Sequence, residues 1–280
     1  VFNVITSSNP QQVGEQLVDD PRVDMVSFTG STAVGKQIMA RAAATVKKVF
    51  LELGGKSANI VLDDADLGAS LLSALAVCFH AGQGCALNTR LLIPRARQAE
   101  AEELLKTYFG FITYGDPASE GEIMGPLVNA RQRKRVLAYI EKGKEEGARL
   151  LLGGGIPGHL NKGFYVEPTV FVDVTNDMTI AREEIFGPVL AVIAYDSEDD
   201  AVRIANDSDF GLSGSVWAGS EARGVALARR IRAGTVNVNG GNFYGPDAPF
   251  GGYKQSGIGR EMGPEGFEEY LETKTIAVAV

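Results

Sequence analysis

Cysteine and histidine are scarce in this sequence. Among its 280 residues there are two cysteines, Cys78 and Cys85, and two histidines, His80 and His159. Two cysteines are too few for a disulfide framework, so we expect a reducing compartment and a cytoplasmic protein. A structural zinc site usually takes four Cys or His ligands, so we predict no metal. A serine hydrolase is also disfavoured, because no GxSxG motif occurs and histidine bases are few.

Positive charge and long apolar runs are lacking as well. The formal net charge is −8, which gives no electrostatic attraction to nucleic acid or to an anionic membrane. No run reaches the roughly 18 consecutive apolar residues that a membrane span requires. We therefore expect neither a nucleic-acid nor a membrane partner. The hydrophobic content of 45% is sufficient for the core of one large domain or two ordinary ones.

Strand-like and helix-like segments alternate along the chain. The predicted strands are 24–30, 49–53, 58–62, 89–94, 188–195, 213–219 and 235–239, and the predicted helices are 32–48, 66–79, 97–108, 130–148, 199–207 and 221–233. This alternation predicts an α/β fold with a mostly parallel sheet and helices on its faces. The two ends of the chain, VFNVI (1–5) and TKTIAVAV (273–280), also resemble strands. The second would pair with a partner subunit or with an edge in its own chain.

Cys85 is the candidate nucleophile. It lies in the loop FHAGQGCALNTR, where Gly82 and Gly84 allow a sharp bend and the close approach of a substrate. Ala86 leaves room around the sulfur. A thiol in such a loop is better placed to react than one on a packed helical face. Cys78, within ALAVCF, is expected to be a small core residue. For Cys85 the alternative is an inert buried thiol.

Glu52 is the candidate general base. It stands in VFLELGGKS, an apolar strand that ends in two glycines, and burial there would raise its pKa toward the range of a useful base. The alternative is an ion pair with Lys56 or another cation. The loop PFGGYKQSGIGRE (249–261) carries charges whose spacing indicates no particular chemistry.

Two further patterns are suited to a nucleotide. SFTGSTAVG is a strand, a tight turn and a helix N-terminus, which suits a phosphate. It lacks the GxGxxG spacing and the P-loop lysine, and the alternative is a helix capped by Ser31 or Thr32. In REEIFGPV, Glu184 and Phe186 could hold a sugar diol and a flat ring. The alternative there is a helix that ends at Gly187 before a proline.

Taken together and in order, these stretches resemble the aldehyde dehydrogenase superfamily along the whole chain. The matching segments are SFTGSTAVGKQI, LELGGKSANIVLDDADL, GQGCALNTR, YGDPAS with MGPLVNARQ, REEIFGPVLAV, GLSGSVWAGS, GTVNVNGG and PFGGYKQSGIGRE. The resemblance implies a catalytic α/β domain with a mostly parallel sheet plus the C-terminal half of a Rossmann-type cofactor domain. We assign 1–53 to the Rossmann remnant, 54–262 to the catalytic domain and 263–280 to an oligomerisation segment of a homodimer or homotetramer.

The resemblance also implies a reaction, the NAD- or NADP-dependent oxidation of an aldehyde to a carboxylic acid. Cys85 matches the family nucleophile, which forms a thiohemiacetal and then a thioester. Its backbone N–H would supply half of the oxyanion hole. Glu52 matches the base that activates water for hydrolysis, and it disfavours the branch of the family in which coenzyme A resolves the thioester.

Further roles carry over by position. For the cofactor they are Gly30 and Ser31 at the pyrophosphate, Leu53 and Gly54 near the nicotinamide, Glu184 at the ribose and Phe186 beside the ring; for the aldehyde they are Phe79 and Tyr244 as walls of its tunnel. In the family, a long segment precedes VFNVI and completes the cofactor site, so we expect the C-terminal part of an enzyme with weak or no cofactor binding. The alternatives are a non-catalytic fragment and a structural protein that reuses the fold.

Overall fold

A computed structural model describes residues 2–242 and 244–279. The strands are β1 Met25–Thr29, β2 Lys48–Glu52, β3 Ser57–Val61, β4 Asn88–Pro94, β5 Arg149–Leu152, β6 Thr169–Val172, β7 Val189–Tyr195, β8 Phe210–Gly211, β9 Ser213–Trp217, β10 Thr235–Val238, β11 Tyr253–Lys254 and β12 Gly257–Ile258. The α-helices are α1 Pro10–Asp19, α2 Thr32–Ala42, α3 Leu67–Leu72, α4 Gln98–Phe109, α5 Ala130–Glu145, α6 Thr179–Arg182, α7 Glu198–Asn206, α8 Glu221–Ala228 and α9 Gly263–Glu268. Short 3₁₀ segments span Ala43–Thr45, Ser73–Gly82 and Arg95–Arg97.

A seven-stranded sheet forms the centre of the larger part of the chain. Its order is β10-β9-β3-β4-β7-β6-β5, and every pair is parallel except β5 with β6. All five residues of β3 are buried, as expected for a strand covered by helices on both faces. The predicted α/β class with a mostly parallel sheet is confirmed, and all seven predicted strands form within two residues of their predicted bounds.

A smaller sheet carries the candidate base. In its order β1-β2-β12, β1 and β2 are parallel, and β12 is antiparallel to β2, with Gly257 opposite Glu52. A side chain at position 257 would begin 1.9 Å from the carbonyl oxygen of Leu51, so only glycine allows this approach. The loop that showed no chemistry by its spacing therefore completes the sheet around Glu52.

Side-chain caps start most of the longer helices. In each case a side-chain oxygen accepts a hydrogen bond from a backbone N–H of the first turn, and the capping residues are Asn9, Ser31, Asp66, Asn129, Ser197 and Ser220. These residue types are the preferred N-caps, because their oxygens satisfy amides that have no partner within the helix. The helix starts were thus readable from local sequence.

Three helix predictions need correction. The helix predicted over 221–233 ends at Ala228. The helix predicted over 66–79 is α-helical only through α3 and continues as 3₁₀ turns, in which the hydroxyls of Ser70 and Ser73 bond to carbonyls three residues earlier. Such side-chain bonds compete with regular helix geometry. The helix predicted over 32–48 ends at Ala42, because Val46 is left-handed (φ 53°) and β2 begins at Lys48.

The strands predicted at the chain ends are not formed. Residues 2–5 and 271–279 have no regular structure, while Val1 and Val280 lie outside the described residues. The apolar side chains of Phe2 and Ile276 are almost fully exposed. A strand is stable only when another strand pairs with it, and neither segment meets a free edge within the described chain. Pairing with a partner subunit stays a prediction, as do the bounds of the three domains.

Arg90 is the largest fully buried side chain. It lies on β4 with an exposed fraction of 2%, and its guanidinium donates to the carbonyl oxygens of Lys56, Ile204 and Ala205 and to Oδ1 of Asn176, each at 2.9 Å. These bonds tie the start of β3 to the end of α7. Four of the five N–H groups of the guanidinium thus have acceptors, which offsets most of the cost of burying this cation.

No helix among the described residues combines the length and apolarity needed to span a membrane.

We expect Arg90→Leu to lower the free energy of unfolding by about 3 kcal/mol or more, because it leaves buried carbonyls without donors. Urea denaturation measures this. The exposed Arg229 is the matched control, and Arg229→Leu should change stability by no more than about 0.5 kcal/mol. Equal losses for the two variants would contradict the structural role of Arg90.

Candidate functional site

Cys85 is held in a turn that departs sharply from helical geometry. His80, Ala81 and Gly82 are all left-handed, with φ values of 52°, 54° and 73°. A side chain at position 82 would begin 2.1 Å from the backbone of Gly187, so the cysteine loop rests directly on the turn that follows Phe186. The two non-glycine residues in this conformation are strained, and such strain is common next to reactive groups.

Gln83 fixes the same loop from its other side. Its Nε2 donates to the carbonyl of His80 at 3.0 Å, and its Oε1 accepts from the N–H of Val128 at 2.9 Å. The thiol of Cys85 is half-buried and unpaired, whereas Cys78 is fully buried in the core. Cys78 is therefore a core residue, as predicted, whereas the reactivity of the more accessible Cys85 stays a prediction.

Glu52 ends β2 with 2% exposure, and neither carboxylate oxygen makes a hydrogen bond of good geometry within the described residues. Burial raises the pKa of Glu52 to about 7, and the nearby Cys85 thiol partly offsets that rise. Burial and the charge of Glu52 together raise the pKa of Cys85 to about 11. The two groups thus face each other, and a base that titrates near neutrality adjoins a thiol that holds its proton.

The alternative ion pair with Lys56 is not formed. Lys56 is itself fully buried, and its Nζ has no hydrogen-bond partner in the described chain. Burial and the positive charge of Arg90 lower the pKa of Lys56 to about 7, while Glu184 and Glu183 favour its charged form. Glu52 is not among the charges that act on this ammonium, so it stays available as a base.

The turn after Glu52 is packed against two other parts of the site. A side chain at Gly54 would begin 2.5 Å from Oε2 of Glu184, and one at Gly55 would begin 2.5 Å from the carbonyl oxygen of Cys85. The N–H of Gly55 donates to Oε1 of Glu184 at 3.1 Å. The glycine pair therefore brings the predicted base, the nucleophile and the predicted ribose-binding carboxylate together.

Glu184 and Phe186 do not lie in a helix, so that alternative is wrong. Helix α6 ends at Arg182, and Phe186 is left-handed with φ 59°. Burial raises the pKa of Glu184. Gln132 on α5 donates from Nε2 to the carbonyl of Phe186 at 2.7 Å and holds the turn in place. The ring of Phe186 is partly exposed.

At the N-terminus of α2, Ser31 caps the helix by accepting from the N–H of Val34 at 3.4 Å. The N–H of Gly30 donates to the carbonyl of Glu52 at 3.0 Å, which places this turn next to the base. Thr32 does not cap, because its hydroxyl donates to the carbonyl of Gln255. Capping by Ser31 leaves the outermost amides of the helix free for an anion. The predicted phosphate site and the alternative of a helix capped by Ser31 are therefore compatible.

A cleft of about 530 Å³ lies between α1, α2 and β1. Its apolar lining includes Val18, Val26 and Ile38, and Gly14 on α1 has no heavy atom near the position of a side chain. This cleft was not predicted from the sequence. The signal available was a glycine within the exposed face of an amphipathic helix, next to the phosphate-facing turn.

Ser256 is a further residue that the sequence did not reveal. It is fully buried, donates from Oγ to the carbonyl of Gly54 at 2.6 Å and accepts from the N–H of Gly211 at 2.9 Å. Its own carbonyl accepts from the N–H of Leu53 at 2.8 Å. Ser256 thereby fixes the backbone between the base and the glycine pair. Only its place in a glycine-rich loop gave any signal.

Phe79 and Tyr244 line one cavity of about 370 Å³, which also contacts Ala86 beside the nucleophile. The rings of Tyr244 and Phe250 meet edge to face at 5.5 Å. The predicted aromatic walls are therefore brought to the same opening. Within residues 2–242 and 244–279, no three acidic, Cys or His side chains cluster in a way that could hold a metal ion.

Comparison with known proteins agrees with this arrangement. The family description "Aldehyde dehydrogenase family" matches residues 1–276. The chain is 46% identical to a betaine aldehyde dehydrogenase of Rhizobium etli over 282 residues, and 46% identical to a 3-succinoylsemialdehyde-pyridine dehydrogenase of a Pseudomonas species over 280 residues. These alignments cover at least 99% of this chain but 58% of each relative.

A solved structure gives the same result. The crystal structure of a mutant aldehyde dehydrogenase C from Pseudomonas syringae, in complex with NAD+ and octanal, is 47% identical and superposes with a TM-score of 0.93, over 98% of this chain and 56% of that one. The chain belongs to the aldehyde dehydrogenase family. It spans a little more than half the length of the relatives it matches, as expected for the C-terminal part of such an enzyme.

The burial of Glu52 makes fold stability depend on pH. Its pKa is raised from 4.5 to about 7 in the fold, so its stabilising contribution is complete below the unfolded pKa and is lost as the pH rises through about 7. The free energy of unfolding of Glu52→Gln, measured relative to that of the unsubstituted chain, should therefore rise by about 2–3 kcal/mol when the pH is raised from about 5 to about 8. Urea denaturation at both pH values measures this difference. Glu120→Gln, at an exposed position, is the control, and its stability relative to the unsubstituted chain should not change with pH. An effect of Glu52→Gln that is the same at both pH values would refute the raised pKa of Glu52.

Proposed function

We propose that the protein of which this chain is a part oxidises an aldehyde to a carboxylic acid with NAD+. The observation that carries the proposal is the pairing of Cys85 with Glu52, a buried carboxylate that forms no salt bridge among the described residues and whose pKa is raised to about 7. A base near the working pH is the arrangement that makes proton transfer most effective. Relatives of this family and a solved structure that contains NAD+ support the same reaction.

The chain supplies a nucleophile, a base and part of an oxyanion site. Glu52 accepts the proton of the Cys85 thiol, and the sulfur attacks the carbonyl carbon to give a thiohemiacetal. The backbone N–H groups of Cys85 and Ala86 point toward the sulfur region and lower the thiol pKa, so the former is placed to stabilise the oxyanion. A bound NAD+ would take the hydride whose loss converts the thiohemiacetal to an acyl thioester. Once Glu52 has released its proton to solvent, it activates the water that hydrolyses this thioester and frees the thiol.

The cofactor residues form a continuous path across the site. Gly30 and Ser31 would hold the pyrophosphate at the N-terminus of α2, and the cleft between α1 and α2 has the size and apolar lining for an adenosine. Glu184 would hold the nicotinamide ribose. Phe186 would lie beside the nicotinamide ring, and Leu53 and Gly54 would also lie near the nicotinamide. When bound, NAD+ supplies the hydride acceptor; NADP remains the second candidate.

Two competing functions make different predictions. A non-catalytic fragment or a structural protein with this fold would need no orphaned carboxylate, and an unpaired buried Glu52 would only reduce its stability. The retained pair therefore favours an enzyme. We further propose a cytoplasmic homodimer or homotetramer, which is supported by the two unpaired cysteines and by the exposed apolar C-terminal segment.

Cys85 should react without any cofactor. We expect iodoacetamide to label Cys85 and spare Cys78, and we expect slow hydrolysis of p-nitrophenyl hexanoate that Cys85→Ser reduces by about 100-fold or more. Mass spectrometry and absorbance of the released phenol measure the two effects. Cys78→Ala is the control and should retain hydrolysis. If Cys85→Ser still hydrolyses the ester at the original rate, Cys85 is not the nucleophile.

The same hydrolysis should depend on pH through Glu52. Because the ionised carboxylate is the base, we expect the rate to rise about tenfold per pH unit below a pKa of about 7 and to level off above it. Glu52→Gln should hydrolyse the ester slowly, and its rate should not show this rise with pH, whereas Glu120→Gln should show it. If the rise persists unchanged in Glu52→Gln, the titrating base is a group other than Glu52.

A further inference from the structure

Helix α5 begins beside the loop of the candidate nucleophile. The N–H of Val128, two residues before the helix starts, donates to Oε1 of Gln83 at 2.9 Å, and Asn129 caps the helix. Gln83 precedes Cys85 by two residues. The side chain of Gln83 therefore joins the cysteine loop to the start of a 16-residue helix, which is a more rigid element than a loop.

One face of α5 holds the turn of residues 183–187. We call it the anchor face, and it is formed by side chains spaced so that they lie on one side of the helix, Gln132, Arg135, Val136 and Tyr139. Three of them donate hydrogen bonds, to the carbonyl oxygens of Phe186 at 2.7 Å and Glu184 at 2.8 Å and to Oε2 of Glu183 at 2.6 Å. The position of this turn is thus fixed from the side of the helix.

The turn and the cysteine loop also contact each other. A side chain at position 187 would begin 2.5 Å from Cγ2 of Val136, and one at position 82 would begin 2.1 Å from the backbone of Gly187. Val136 is completely buried. The loop, the turn and the helix therefore meet at Gly187 without spare space, so a displacement of one requires a displacement of the others.

The cysteine loop needs such support because its backbone is strained. His80 and Ala81 hold left-handed conformations, which persist in residues with a side chain only where the surroundings enforce them. Nε2 of Gln83 donates to the carbonyl of His80 at 3.0 Å, so this one side chain binds both the strained segment and the start of α5. Without it, we expect the loop to relax and to carry Cys85 away from Glu52.

We propose that Gln83 is a positioning residue for Cys85, and that the anchor face of α5 sets the position of the thiol through Gln83 and Gly187. This inference rests on the proposed function, because the position of the thiol matters for the reaction only if Cys85 is the nucleophile. Attack on a carbonyl needs the sulfur, the base and the oxyanion donor in a fixed arrangement, whereas alkylation by a small reagent needs only access to the sulfur. The two reactions therefore distinguish position from reactivity.

Gln83→Met keeps the length of the side chain and removes both hydrogen bonds. We expect kcat for p-nitrophenyl hexanoate to fall about tenfold or more, with KM changed by less than about threefold. Iodoacetamide should label Cys85 about threefold faster, because a relaxed loop exposes the thiol and removes part of the burial that raises its pKa. Cys78 should stay unlabelled, which shows that the core is intact. Gln12→Met, at an exposed position, is the control and should change neither rate.

Hydrolysis that is unchanged in Gln83→Met would overturn the proposal. So would a parallel loss of hydrolysis and labelling, which would mean that Gln83 acts on the reactivity of the sulfur rather than on its position. If Cys85→Ser hydrolyses the ester at the original rate, the proposed function fails. The labelling rate of Cys85 in Gln83→Met then still decides whether Gln83 positions the thiol.

Gln132→Met tests the transmission through α5, because the side chain of Gln132 bonds to the turn of residues 183–187. We expect it to lower kcat for the same ester about threefold or more, and Lys134→Met, exposed on the same helix, is the control. The double variant with Gln83→Met should be no more than about twofold slower than Gln83→Met alone, because both changes release the same loop. Effects that multiply, or an unchanged kcat in Gln132→Met, would overturn the transmission. If labelling of Cys78 shows that Gln83→Met is unfolded, kcat of Gln132→Met alone decides.

Discussion

The close packing of the turn Leu53–Gly55 is the constraint on which the rest of the site depends. On one side this turn touches the carboxylate of Glu184, and on the other it touches the carbonyl of Cys85, with no space for a side chain at either glycine. Ser256 bonds to it from a third direction. Because the turn is crowded on all sides, the positions of Glu52, Cys85 and Glu184 cannot shift independently. This is the kind of support that precise catalytic geometry requires.

The same packing makes the site unfavourable for stability. Glu52 is buried without a hydrogen bond, Lys56 is buried without a partner, and the loop before Cys85 holds two non-glycine residues in left-handed conformations. Each feature opposes folding, and each lies within one or two residues of a group with proposed chemistry. Such local conflict is expected where function rather than stability has selected the residue. Arg90, two strands away from Glu52 along the chain, is the contrasting case, because its buried guanidinium donates four hydrogen bonds.

Much of the fold could be predicted because its signals are local. Apolar strands such as β3 and β7, and caps such as Asn129 and Ser197, are visible in a few consecutive residues. The candidate nucleophile and base were also visible, although their proximity came only from the family resemblance. Contacts between distant segments were not predictable. Ser256, Gln132 and the cleft between α1 and α2 act through neighbours that no local pattern specifies, and the 3₁₀ turns after α3 depend on competing serine hydroxyls.

The short strand β12 has a consequence for the order of assembly. It completes the sheet around Glu52 from a point far along the chain, since the bond between Ser256 and Gly54 spans 202 residues. Contacts of such long sequence separation form slowly, because a large loop must close before they give any stabilisation. During synthesis, the segment that carries the base leaves the ribosome long before its partner does. The pairing of β3 with β9 in the larger sheet also joins distant segments, Ala58 with Gly214. Both sheets therefore close only when the last third of the chain is present, and the surroundings of Cys85 and Glu52 are complete only then.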